Sequence, residues 1–148
     1  MSRIHELYNN VTVKPGVSPI AVGTTGTGQA GKIIDRQGYD GVLFLVEYGT
    51  MTATGAVFTL VMKEGDVTGT MTSVADADML PNKTGPEALA GVAAATPRTS
   101  GTDKNSIKKL GYKGIKRYVQ LGVKSTLTAA PPVAISAILF NPEVSPTP

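Results

Sequence analysis

Short apolar runs separated by Gly-, Pro- and Thr-rich turns recur along this chain, one of them alternating apolar and polar with period two, which predicts strands rather than helices. The first nine residues read as a turn of helix or a loose arm. Residues 11–22 are strand-like but broken by Pro15, Gly16 and Pro19, as expected of an edge strand or an extended arm. A Gly/Thr loop over 24–31 overlaps a strand over 29–35. Val42–Tyr48 is apolar on both faces except at Glu47, which predicts a central strand covered on both sides. A Thr/Gly turn over 49–55 leads to a second apolar strand over 57–63, and together these predict a hairpin. Residues 72–79 suit a strand or one turn of helix.

The segment over 80–102 breaks the pattern. Pro81, Gly85, Pro86, Pro97 and Gly101 frame an alanine-rich centre, Glu87–Ala95, that suits a short helix, and a loop this long is usually functional or an interaction arm. Strands resume over 107–110, 115–124 and 133–140. In the middle one Ile115, Val119, Leu121 and Val123 fall on one face, opposite Lys116, Tyr118, Gln120 and Lys124. A proline-rich tail, 142–148, cannot enter a sheet interior. The expectation is an all-β domain, an antiparallel β-sandwich or jelly-roll-like barrel of about seven or eight strands with extended arms. Its domain covers 29–141, with residues 1–28 as N-terminal arm and edge strand.

One phrase occurs twice. Gly38-Tyr39-Asp40-Gly41 precedes a strand, and so does Gly111-Tyr112-Lys113-Gly114. Glycines three apart suit a turn needing positive φ, and the tyrosine can cap the core at the corner. Gly38, Tyr39, Gly41, Gly111, Tyr112 and Gly114 are therefore read as structural turn residues of two related halves.

Composition narrows the chemistry. A chain of 148 residues fits one domain, and the absence of cysteine excludes disulfides, thiolate metal sites and cysteine nucleophiles. A net charge of +3 is too small to argue for nucleic acid or a membrane. The N-terminus lacks the apolar core of a secretory signal, and no apolar run is long enough to span a bilayer as a helix. The expected site of synthesis is a cytoplasm.

Gly26-Thr27-Gly28-Gln29-Ala30-Gly31-Lys32 mimics both the dinucleotide and the P-loop spacing. Both motifs need a following helix, and here Ile33-Ile34 and a turn follow instead. His5 is the only histidine and lies near the terminus, so neither a triad nor a histidine metal site is expected. Glu64, Asp66, Asp76 and Asp78 lack the spacing of a calcium loop. No catalytic residue, cofactor or metal is expected, and the chain reads as a non-enzyme. Lys104, Lys108, Lys109, Lys113, Lys116, Arg117 and Lys124 form a basic run. Lys108, Lys109, Lys113, Lys116 and Lys124 are the candidate partner surface, with nucleic acid disfavoured and a solvated face as the plain alternative.

Asp35-Arg36-Gln37-Gly38-Tyr39-Asp40-Gly41-Val42 and Lys108–Val119 resemble stretches of small virion proteins of tailed bacteriophages, of the capsid decoration or cement type. The resemblance covers most of 29–141 and departs at 80–102 and at the N-terminal segment. It implies a β-sandwich on the outer surface of a phage head, stabilising contacts between major capsid subunits. It also implies a homo-oligomer, a trimer being favoured. The expected arms are residues 2–19, the 80–102 segment and the tail. A head-tail connector or tail component, or a β-sandwich module for glycan or nucleic acid, are the alternatives.

Overall fold

Sheet residues alternate between core and surface, and that alternation builds the fold seen in a computed structural model. It describes residues 3–21, 29–50, 57–80, 89–90, 94–95, 98–99, 105–125 and 132–143. A short helix, α1 (Arg3–Asn9), leads into β1 (Val11–Ala21), β2 (Ile33–Asp35), β3 (Tyr39–Tyr48), β4 (Val57–Val67) and β5 (Thr70–Ser73). A 3₁₀ turn at Asp76–Asp78 precedes β6 (Met79–Leu80). Then come β7 (Leu89–Ala90), β8 (Ala94–Ala95), β9 (Arg98–Thr99), β10 (Ser106–Tyr112), β11 (Tyr118–Ser125) and β12 (Pro132–Pro142).

The two main sheets run β1-β12-β3-β10-β6 and β2-β11-β4-β5, with every pairing antiparallel. The fold is an open, all-β sandwich, as the sequence pattern predicts; the sheets do not close into a barrel. The 24–28 loop with the nucleotide-like glycines, residues 51–56, most of the 80–102 segment and the tail beyond 143 lie outside the described residues.

The core fills the space between the sheets. Val42, Phe44, Val46 and Tyr48 of β3 and Val133, Ile135, Ala137 and Leu139 of β12 face Phe58, Leu60 and Met62 of β4 and Val119, Leu121 and Val123 of β11. Each large apolar side chain so buried contributes about 1.5–3 kcal/mol. Tyr48 and Phe58 join the sheets at one end, with ring centroids 5.6 Å apart and planes tilted by 59°.

Several expectations change. β3 and β4 are not a hairpin: β3 lies between β12 and β10, while β4 lies between β11 and β5 in the opposite sheet. The connection between them carries the chain from one layer to the other. β3 is central, but among the described residues no second layer covers its outer face, where Leu43 and Leu45 stay half-buried. Of the two readings of residues 11–22, the edge strand holds and the extended arm does not, because β1 pairs along β12 from Val11↔Phe140 to Ala21↔Pro132. Pro15 and Pro19 are tolerated because β1 is an edge, and its register slips twice beside them. Within the alanine-rich centre the described residues form a β7-β8 strand pair rather than a helix. β11 starts at Tyr118, leaving Ile115 in the preceding loop, 88% exposed.

Candidate functional site

The repeated phrase turns out to occupy two different structural positions at the same end of the sandwich. In the first copy, Tyr39 N–H donates to Arg36 O at 2.9 Å, closing a turn, and β3 begins at once. Gly38 has φ +83°, which an L side chain adopts only with strain. In the second copy Gly111 and Tyr112 are not turn residues: they close β10, paired with Leu43 and Val42 of β3 on one side and Leu80 and Met79 of β6 on the other. Only Gly114 lies in a connection, the loop from Lys113 to Arg117. The halves are therefore not structural repeats.

Tyr112 organises that loop. Its ring is buried, its hydroxyl donates to Glu64 Oε2 of β4, and it accepts from Lys116 N–H at 3.1 Å. The loop backbone folds over the ring so closely that a Cβ on Gly114 would sit 2.6 Å from Tyr112 Cζ. Burial first, and then the Glu64 carboxylate, push the Tyr112 hydroxyl well above its ordinary pKa. Tyr39, the matching tyrosine, is only half-buried and shares a 2.7 Å hydrogen bond with Thr12 Oγ1 of β1. Gly41 lies opposite Phe140, whose ring covers it.

Arg36 fastens the two phrases together. Its Nε donates to Lys116 O at 2.6 Å, and its Nη1 donates to Tyr39 O at 3.2 Å and Asp40 O at 2.8 Å. Its guanidinium also lies 5.6 Å from the Tyr112 ring centroid. Beside it, Arg117 makes a two-pronged pair with Asp35 at 3.1 and 2.7 Å, which holds the Asp35 carboxyl below the usual range. Lys116 Nζ meets Asp66 Oδ2 at 2.6 Å and lowers the Asp66 pKa in the same way. The chain leaving β12 is tied in as well: Glu143 N–H donates to Gly38 O at 2.9 Å, and Asn141 Nδ2 donates to Asp40 Oδ2.

The predicted lysine surface is not one patch. Lys108 and Lys109 face opposite sides of β10, and Lys113 lies in the loop, its N–H on Asp78 O at 2.9 Å. Lys116 is paired with Asp66, and Lys124 stands on the outer face of the other sheet. Density along the chain did not translate into density on the surface, because alternate strand residues part to opposite faces. Glu64 and Asp66 serve Tyr112 and Lys116. His5 is exposed on α1. Among the described residues, no group of three or more His, Asp or Glu could hold a metal, and no helix is long and apolar enough to cross a membrane.

Exposed apolar side chains gather at the same end. Ile115 tops the pinned loop, Val67 caps the β4–β5 turn opposite it, and Phe140 closes β12. Ile4, Leu7 and Tyr8 of α1 stand just before Val11, the partner of Phe140. Between Ile115, Arg36, Tyr39, Arg117 and Glu143 lies a hollow of 320 Å³. Sequence reasoning missed Arg36 and this apolar end; the apolar Ile115 between Gly114 and Lys116 was the available signal, and it was assigned to a strand.

No protein-family model matches the chain, and no curated protein matches it. Among solved structures, the fold is similar to the SPBc2 prophage-derived protein YomS, with TM-score 0.50 at 7% identity over 89% of this chain and 94% of that one. A chain from the structure of deformed wing virus matches over 100% of this chain and 84% of its own, with TM-score 0.45 and 9% identity. The xylan-binding module CBM15 matches over 92% and 94%, with TM-score 0.35 and 12% identity. The first of these supports the fold; the other two fall too low to support an argument.

Proposed function

We propose that this protein is a non-enzymatic structural component of a phage virion. It binds the outer surface of the head and stabilises contacts between major capsid subunits. The observation that carries the reading is the end of the sandwich where Arg36, Tyr112 and Arg117 hold the Lys113–Arg117 loop. A loop pinned by this many bonds presents Ile115 in a fixed position. An exposed apolar side chain on a preorganised frame, rimmed by charge, is the form an interface anchor takes, because little ordering entropy remains to be lost on binding. The prophage origin of YomS and the phage-like phrases around Gly38 and Tyr112 point the same way. On this reading the partner is the major capsid protein and the place of action is the head surface.

The test is quantitative peptide mass spectrometry on purified virions of the encoding phage, read as copies of this chain per major capsid protein. A large fixed fraction is expected. A handful of copies would overturn head decoration in favour of a neck or tail role, and absence from the particle would overturn the virion reading. Ile115→Ser protein added to heads lacking the wild-type chain should bind at least tenfold more weakly, as loss of a central apolar anchor of about 1.4 kcal/mol or more implies.

A further inference from the structure

The two sheets differ in what they show to solvent. In the β2-β11-β4-β5 sheet the outward positions Thr59, Lys63, Gln120 and Lys124 interrupt the apolar Val61 and Ile33, as expected of a sheet with one wet face. The other sheet breaks that rule. Register places Val13, Ile138, Leu43, Gly111 and Leu80 side by side in one row across all five strands, on the face away from the core. The next rows add Val11 and Phe140 beside Gly41 on one side, and on the other Pro15 and Leu45, with Ser136 between them and Lys109 beyond as the polar members. Val13 is 64% exposed and Leu80 46%. Five strands at about 4.8 Å spacing give these apolar residues an area on the order of 300 Å², the size of the largest patch on a typical monomer and one that is often functional.

The same chain carries a second unpartnered apolar surface. Ile4, Leu7 and Tyr8 follow the i, i+3, i+4 spacing of a helical stripe on α1, with Glu6 on the opposite side. They are 70%, 63% and 80% exposed. α1 does not cover its own sheet: only Asn10 separates it from β1, and Asn10 N–H donates to Leu7 O at 3.3 Å, turning the chain directly into the edge strand.

We propose that these two surfaces belong together, and that the outer face of the β1-β12-β3-β10-β6 sheet is covered by α1 of a second copy of this chain. Size supports the match. A seven-residue helix is about 10 Å long and spans two strand intervals, so its three apolar side chains reach neighbouring members of the Val13–Ile138–Leu43 row. One such contact falls short of the roughly 1,000 Å² a lasting interface needs. Reciprocal exchange between two copies, or a closed ring in which each copy gives one helix and receives one, doubles the contact each chain makes. The inference is independent of the virion reading, since it concerns the purified protein alone.

Sedimentation equilibrium on the full chain should show a concentration-dependent closed oligomer. The variant Ile4→Ser/Leu7→Ser/Tyr8→Ser and the variant Val13→Glu/Leu80→Glu should each sediment as a monomer with wild-type circular dichroism. Because the chain lacks cysteine, Leu7→Cys protein mixed with Ile138→Cys protein should form a disulfide-linked dimer several-fold faster than either alone. A wild-type chain that stays monomeric at millimolar concentration would overturn the proposal and assign the face to a different protein. An oligomer unaffected by the helix substitutions, or no preference for the mixed disulfide, would overturn the role of α1.

Discussion

Arg36 and Tyr112 stack 5.6 Å apart, guanidinium carbon to ring centroid, and both hold the backbone of Lys116. Tyr112 receives the Lys116 N–H, while Arg36 binds the Lys116 carbonyl and the carbonyls of Tyr39 and Asp40. A single peptide segment is thus gripped from both sheets.

Removing the guanidinium should loosen both turns at once. Arg36→Ala leaves the Lys116 carbonyl without its side-chain donor, and a charged donor to a carbonyl is worth about 1.5–3 kcal/mol. The expected result is a fall in unfolding free energy of about 2–3 kcal/mol, read from the urea midpoint at unchanged m-value. Arg36→Lys should recover little, since one ammonium cannot address three carbonyls in the guanidinium's fork geometry.

Two glycines of the repeated phrase should respond differently to the same substitution. At Gly114 a Cβ meets the Tyr112 ring, so Gly114→Ala must displace either the loop or the ring, at a cost of about 1–3 kcal/mol. At Gly38 nothing lies within 4 Å, and the penalty is the positive φ alone. Gly38→Ala should cost about 1–2 kcal/mol and Gly38→Asn less, because asparagine tolerates that region. Thermal melts of the three variants separate close packing from backbone strain.

Opposite faces of one sheet give the plainest contrast. Phe44→Ala empties a fully buried position and should cost about 3–5 kcal/mol. Val13→Ser, on the outer face, should change monomer stability by no more than about 0.5 kcal/mol. Denaturation at a protein concentration low enough to keep the chain monomeric checks both.

The same contrast explains what could be read beforehand. Short apolar runs located β3, β4 and β12, and period-two alternation located β11, because a side chain's face depends only on its parity along a strand. It could not say which sheet each strand joins, so β3 and β4 looked like a hairpin when they belong to opposite layers. Nor could it say what covers a strand that is apolar on both faces. Leu43 and Leu45 carry the same signal whether a second layer of the same chain or another chain lies over them, and among the described residues no layer does. The meeting of Arg36 with Lys116 joins residues 80 positions apart, and no local pattern encodes it. The phrase around Gly38 and Tyr112 was visible as a repeat, yet its copies differ because one opens a strand and the other ends one.

Tyr112 and Asp35 should set the two limits of pH stability. The folded state raises the Tyr112 pKa, through burial first and the Glu64 carboxylate second. In the unfolded chain the hydroxyl ionises near its ordinary value of about 10. Above that pH the folded protein binds the extra proton, so stability is fully present below about pH 10 and declines as pH rises beyond it. The raised pKa of Lys116 beside Asp66 adds a loss of the same sign. Tyr112→Phe removes one titration and keeps the ring, so the variant should start less stable but decline less steeply above pH 10. Asp35 behaves in the opposite sense: the Arg117 pair lowers its pKa, so its contribution is present above about pH 4 and is lost as pH falls through the folded value. Asp66, lowered by Lys116, adds a loss of the same sign, so Asp35→Asn should make the acid limb shallower without abolishing it, while leaving the alkaline limb as it is. Urea midpoints from pH 2.5 to 11 for the wild type and both variants read the two limbs separately. An alkaline limb unchanged by Tyr112→Phe would show that the hydroxyl bound to Glu64 does not govern it.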